Sequence, residues 1–151
     1  MAATLNPVTG EHGIKSAREY SMKPSPLKVQ LRVHAGALDL DGAEVRSLLE
    51  IQEGPSISRI YTNDDEGIAG VEFSNNPQLS RDEASFWHQR VLKNATEWLQ
   101  TRSEDQFDTL RRKGHQIDLC IVSYSGAIPP PLLRQIARLE LTLFIIDLPR
   151  A

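Results

Sequence analysis

The sequence predicts an α+β fold, with a single mainly antiparallel five-stranded sheet and helices packed on one face. Two observations carry this prediction. Runs with the two-residue period of strands stand on both sides of runs with the three- and four-residue period of helices. Their order along the chain is β-α-β-β-α-α-β-α-β, and 151 residues suffice for one hydrophobic core. We expect one domain over residues 27–151.

The first 26 residues are expected to form an irregular or mobile arm. They contain few large apolar side chains and no sustained period. They also contain the backbone breakers Pro7, Gly10, Gly13, Pro24 and Pro26.

The N-terminal half of the domain reads as a strand, a short helix and a hairpin. Residues 27–34 alternate apolar and polar, which predicts a strand with one buried face. Asp39 or Asp41 can cap a helix from about Leu40 to Ile51. Residues 57–61 and 68–73 are β-prone runs joined by turn-forming residues, which predicts an antiparallel hairpin near a sheet edge.

A long helix over residues 80–99 is the clearest element. Ser80 and Glu83 form a capping box, in which each side chain bonds the backbone amide of the other residue. Apolar residues then recur at helical spacing. Trp87 and Trp98 are eleven residues apart, about three turns, so both are expected to anchor one face to the sheet.

The C-terminal part predicts a second helix, a strand, a third helix and a last strand. Ser103 and Gln106 form another capping box, and Gly114 is placed to end that helix. The run of residues 117–124 is apolar on both faces from Leu119 to Val122, which predicts a central strand covered on at least part of both faces. Prolines 129–131 lead into a helix at Leu132, and residues 141–147 are expected to form a second buried, interior strand, parallel to the previous one if adjacent.

Composition argues against several classes of function. The net charge is −3 and the basic residues are scattered, so we expect no nucleic-acid partner. No apolar run is long enough to span a bilayer and no secretion signal is visible, which favours the cytoplasm and no membrane partner. Cys120 is the single cysteine and lies in the most apolar strand, where a thiol is usually a small hydrophobic group.

No catalytic or metal-binding motif is recognisable. The four histidines are spread over a hundred residues, and no pair has the spacing of zinc ligands on a helix. No glycine pattern matches a phosphate-binding loop, and Gly-x-Ser-x-Gly is missing. We therefore expect no enzyme activity, no cofactor and no metal.

Two groups of residues are candidate sites. Asp64, Asp65 and Glu66 form an acidic tip that suits a basic partner, although a solvated turn is the simpler explanation. The second group is a possible ligand site at a strand end, where ordinary turn chemistry is the simpler explanation. Its members are Ser123, Tyr124 and Ser125, with His34 or His115.

The apolar pattern from Lys28 onward resembles a family of small bacterial α+β proteins known mainly as a domain of unknown function. The matching stretches are Leu31 to Val33, Glu44 to Ile51, the helix with both tryptophans, Ile117 to Val122, and Leu141 to Asp147. The family typically has a glycine followed by a tryptophan in the hairpin, where this chain has Gly70-Val71-Glu72-Phe73. The resemblance implies an immunity or accessory protein near a toxin system and carries over no catalytic residue.

The resulting hypothesis is a non-enzymatic protein-binding module of the immunity or antitoxin type, whose partner is a toxin encoded nearby. One alternative is a small-molecule-binding protein or enzyme with its site at the Tyr124 strand end. Another is a homo-oligomeric structural module, such as a homodimer, that pairs through the arm or the hairpin edge.

Overall fold

The computed structural model describes residues 27–36, 39–62, 67–74, 81–124 and 126–146, with the backbone alone for residues 81–85. The predicted order of elements is confirmed, and the fold is α+β. The strands are β1 (Lys28–His34), β2 (Arg59–Thr62), β3 (Ile68–Ser74), β4 (Gln116–Val122) and β5 (Thr142–Ile146). The helices are α1 (Gly42–Leu48), α2 (Arg81–Gln100), α3 (Glu104–Arg112) and α4 (Pro130–Arg138).

The five strands form one sheet in the order β2-β3-β1-β4-β5. β1 lies in the middle and runs antiparallel to both β3 and β4. β2 and β3 form the predicted antiparallel pair, with β2 at one edge. β5 runs parallel to β4, because α4 returns the chain in the same direction between them.

The helices cover one face of this sheet. Along β1, Val29, Leu31 and Val33 are buried and alternate with half-buried residues, as the sequence alternation predicts. The odd-numbered positions of β3 and β4 continue the same buried layer. The hydrophobic core joins that layer to all four helices, including Val45, Leu92, Leu99, Phe107, Leu110, Leu132 and Ile136.

Local signals set most helix boundaries. Asp41 caps α1 by accepting hydrogen bonds from the amides of Ala43 and Glu44. α1 is shorter than predicted, since Glu50 has a positive φ of 54°. The capping box at Ser103 and Gln106 is confirmed, as is the helix that begins at the prolines.

The prediction that the last strand lies in the interior is wrong. β5 is the second edge of the sheet, and Phe144, Ile145 and Ile146 are 46%, 54% and 41% exposed. An apolar run fits a strand buried in the core and equally a strand with an apolar surface. It does not show on which side of β4 the strand pairs. In the preceding strand the residues from Ile117 to Ile121 are buried at successive positions, Cys120 among them, as expected for a central strand.

The expectation that both tryptophans anchor α2 to the sheet holds for one of them. Trp98 is partly buried and its ring meets Phe73 edge-on, with 6.1 Å between ring centroids. Trp87 is 38% exposed and packs on Phe86 instead. Among the described side chains of α2, burial begins at Val91, so the turn that carries Trp87 extends past the core.

Some of the predictions fall on residues that the structure does not describe. The N-terminal arm lies wholly outside the described residues, as does the Ser80 cap of α2.

Candidate partner-binding face

The sheet face opposite the helices, called the open face below, is formed by the even-numbered residues of β1, β3, β4 and β5 and by Arg59 and Tyr61 of β2. None of its residues belongs to the core cluster that the helices share. In the described part of the chain, no helix therefore packs its apolar side chains on this face. The open face carries polar and aromatic side chains in an ordered arrangement.

Asp118 is the centre of the first group on the open face. Its Oδ1 accepts a hydrogen bond of 2.7 Å from Arg32 Nε, and its Oδ2 lies 2.7 Å from His34 Nε2. The cross-strand register explains this contact, because Asp118 stands directly opposite Arg32 and two positions from the rung of His34. One buried carboxylate thus holds two half-exposed side chains of the central strand.

The contact with Asp118 favours the charged form of the Arg32 guanidinium. Burial disfavours the charged guanidinium, but the hydrogen bond and negative charge of Asp118 outweigh that effect and raise the pKa of Arg32. Asp118 bonds only Nε of the guanidinium. The terminal N–H groups of Arg32 form no hydrogen bond to the described residues, so they can donate to a partner.

The second group on the open face joins three strands. Tyr61 donates a hydrogen bond of 2.6 Å to Glu72 Oε1, and Gln30 Nε2 lies 2.8 Å from the same oxygen and 3.1 Å from the Tyr61 hydroxyl. Arg59 lies over the Tyr61 ring, 4.4 Å from its centroid. Burial and the hydrogen bond to Glu72 raise the pKa of Tyr61, so the phenol stays protonated.

Gly70 separates the two groups. It stands between Tyr61 and Arg32 in the cross-strand register. A Cβ atom there would lie 1.9 Å from the carbonyl oxygen of Leu31, so only glycine fits. The Leu31 backbone occupies the place that a side chain at position 70 would take.

Phe144 borders the Arg32 group on the β5 side. Its ring is 5.9 Å from the Arg32 guanidinium carbon. Between Phe144 and Gln30 lies Cys120, whose thiol is fully buried and has its pKa raised by desolvation. This burial supports the interpretation of Cys120 as a packing residue.

A cleft of about 640 Å³ opens beside the Arg32 group. His34 and His115 both line it, together with Arg111, Glu140 and Thr142. His115 is buried, and its Nδ1 accepts a hydrogen bond of 3.4 Å from the Gly36 amide. Arg111 is held by Asp108 and by the Leu139 and Glu140 carbonyls, so it forms a wall of the cleft.

The structure brings His34 and His115 to the same end of β4, and it places Ser123 and Tyr124 at the opposite end. A seven-residue strand lies between them, about 20 Å in length. The expected combination of Tyr124 with either histidine in one site is therefore not found.

Tyr124 has a local structural role. Its hydroxyl donates a hydrogen bond of 2.8 Å to the Ala127 carbonyl, and its ring meets His88 edge-on. Ser123 has a positive φ of 64°, and its amide donates to the Ile146 carbonyl. Ser125 lies outside the described residues, as do Asp64, Asp65 and Glu66.

Sequence reasoning missed Arg32, Asp118, Tyr61 and Glu72 as members of a surface. A signal for two of them was present, since Glu72 and Asp118 are single acids inside otherwise apolar strands. A buried carboxylate needs hydrogen-bond donors. Polar residues on the neighbouring strand, Gln30 and Arg32, were the available donors.

The described residues contain no group of three or more His, Cys, Asp or Glu side chains placed to hold a metal ion. No helix in the described ranges is long and apolar enough to cross a membrane. Comparison of the chain with protein-family models, curated proteins and solved structures found no match.

Proposed function

We propose that this protein is a non-enzymatic protein-binding module and that the open face of its sheet holds the partner. The observation that carries the proposal is the Arg32–Asp118–His34 array on a sheet face with no helix from the described residues packed on it. Such a face offers a broad, rigid surface. Its side chains are held in place by hydrogen bonds within the protein.

The composition of the open face suits protein recognition. Arginine and tyrosine are the residue types that most often dominate binding energy at interfaces. Here the partly exposed Arg32 is fixed by Asp118 before any partner arrives, and the buried Tyr61 is fixed by Glu72 beneath the surface. Because little side-chain freedom remains to be lost, binding at this face costs less entropy.

The accessible charge of the open face is positive although the whole chain is acidic. Lys28 and Arg32 supply the cations. The two carboxylates, Glu72 and Asp118, are buried at 7% and 6% exposure and already hydrogen-bonded. The open face therefore favours a partner with an acidic surface. This proposal differs from the basic partner that the acidic tip suggested.

The most specific form of the proposal is an immunity or antitoxin-type protein that occludes a toxin encoded nearby. The family resemblance supports this form, and a single small domain with a preorganised face suits occlusion of another protein's surface. The acidic partner surface named above would then belong to the toxin.

Co-expression with the products of adjacent genes tests this function. We expect one of them to inhibit growth, and the wild-type protein to restore it and to form a stable complex. Arg32→Gln is expected to weaken both effects, whereas Arg134→Gln, an exposed arginine on α4, should leave them unchanged. The proposal fails if no neighbouring product binds, or if both variants act like wild type.

The cleft supports a second candidate, the binding of a small molecule by His34 and His115. The supporting observation is that both histidines line one cavity of about 640 Å³. A screen of metabolites by thermal shift separates the two candidates. A compound that stabilises the wild type but not His115→Gln favours the small-molecule site.

A further inference from the structure

β5 is an edge strand with an unusual surface. In the described part of the chain no strand pairs with its outer side. Its five residues, Thr142 to Ile146, contain no charge and no proline. Charged residues and prolines usually protect edge strands, because the exposed backbone N–H and C=O groups can otherwise pair with another strand.

The direction of the backbone groups follows from one hydrogen bond. The Ile146 carbonyl accepts from the Ser123 amide, so the backbone groups of Ile146 face the β4 side. Since this direction alternates along a strand, those of Thr142 and Phe144 also face β4. The N–H and C=O groups of Leu143 and Ile145 then point away from the sheet.

We propose that two copies of this chain pair antiparallel through β5, with a twofold axis beside Phe144, to form a continuous ten-stranded sheet. In this register Leu143 of one copy stands opposite Ile145 of the other, twice. Each such pair exchanges two backbone hydrogen bonds, so all outward groups of Leu143 and Ile145 are satisfied. Phe144 meets its own symmetry mate in the closer, non-hydrogen-bonded position.

The side chains favour a second copy as the occupant. Because β5 is uncharged, no like charges meet across the twofold axis. Phe144 and Ile146 are exposed on one face and Ile145 on the other, so pairing covers apolar surface on both sides. The same surface patch serves both copies, as a twofold interface requires.

The opposite edge of the sheet is a poorer choice. β2 has four residues and carries Arg59. Two such edges would bring equal charges together. The hairpin edge suggested by the sequence is therefore replaced by β5 in this proposal.

The contact is small. Two five-residue strands bury less than the roughly 800 Å² per partner of a standard interface, so a weak dimer with a micromolar dissociation constant is expected. The pairing leaves Arg32 and Tyr61 on the open face of each copy, on strands outside the dimer contact.

Sedimentation equilibrium of the full chain tests the pairing, over about 10 to 500 µM. The average mass is expected to rise from 16.9 kDa toward twice that value. Ile145→Pro removes an outward N–H without removing a hydrogen bond to β4, and should stay monomeric with an unchanged circular dichroism spectrum. A wild type that stays monomeric throughout, or a folded Ile145→Pro variant that still dimerises, would overturn the proposal.

Disulfide trapping gives a second test that does not depend on Ile145→Pro folding. Phe144→Cys is made together with Cys120→Ala, because Cys120 is the neighbour of Phe144 in the sheet. Mild oxidation should link the copies through position 144, whose α-carbons would be about 4.5 Å apart. Ile146→Cys in the same background is the control and should link far less, since its opposite residue is Thr142. Equal linking of both variants, or none, contradicts the register.

Discussion

His34 and Asp118 are joined across neighbouring strands by a contact of 2.7 Å between His34 Nε2 and Asp118 Oδ2. The same carboxylate holds Arg32 through its other oxygen. Two side chains of the central strand are thus fixed by one buried acid. These two contacts hold polar side chains of the sheet face in fixed positions, so the surface has a defined shape.

Asp118→Asn is expected to lower the free energy of unfolding by about 1.5–3 kcal/mol, because charge-assisted hydrogen bonds to a buried group are lost. Asp108→Asn is the matched control. Asp108 is half-exposed and contacts Arg111 at 3.0 Å, so its loss should cost less than about 0.5 kcal/mol. Urea unfolding measures the free energy of unfolding of both variants. Equal losses would show that Asp118 contributes no more to stability than a surface acid.

Tyr61→Phe should destabilise the fold by about 1–2 kcal/mol, because Glu72 loses one of its donors. Tyr124→Phe, which removes a more exposed hydrogen bond to a carbonyl, should cost about 0.5 kcal/mol. Since the pKa of Tyr61 is raised in the fold above its ordinary value of about 10, its contribution is complete below that pH and is lost as the pH rises from there toward the raised value. Alkaline unfolding monitored by circular dichroism should therefore be less steep for Tyr61→Phe than for wild type.

His88 should make stability depend on pH near neutrality. Burial lowers the pKa of His88, and its Nε2 has no hydrogen-bond partner among the described residues, so the folded protein resists protonation there. The unfolded chain binds this proton below about pH 6.5, and stability is lost as the pH falls through that value. His88→Gln should show a smaller loss between about pH 7.5 and 5.5. Identical pH profiles for the two proteins would contradict this assignment.

Gly70→Ala is expected to cost about 3 kcal/mol or more, since the added Cβ would lie 1.9 Å from the Leu31 carbonyl oxygen. Gly54→Ala is a suitable control, because no heavy atom of the described residues lies within 4 Å of its added Cβ, apart from Gly54 and its two chain neighbours. Its effect should stay within about 1 kcal/mol. Thermal unfolding gives the melting temperatures of the two variants. Equal melting temperatures would refute the close approach of the Leu31 backbone to Gly70.

Much of the fold was predictable because the residues that start, end or pattern an element lie within that element or next to it. The alternation of residues 27–34, the caps at Asp41 and Ser103 and the prolines before α4 each set one element. The position of β5 was not predictable from its apolar residues, because strand order depends on which side of β4 the returning chain joins. The exposure of Trp87 depends in the same way on where the core ends along α2.

The candidate face was harder to predict than the fold. Arg32 and Asp118 are 86 residues apart in the chain, and only the register of β1 and β4 makes them neighbours. Single acids inside apolar strands were the visible signal, but their donors lie on other strands. The histidines of the cleft lie at one end of β4, whereas the Tyr124 hydroxyl expected beside one of them lies at the opposite strand end.

The central claim is that the open face binds the partner, and the affinity of Arg32→Gln tests it most directly. Calorimetric titration with the partner that the co-expression experiment identifies should show a dissociation constant at least about tenfold higher than wild type for Arg32→Gln. Arg134→Gln, with the same change of charge on the helix side, should bind as wild type does. Equal affinities for the two variants, with both proteins folded, would contradict the account.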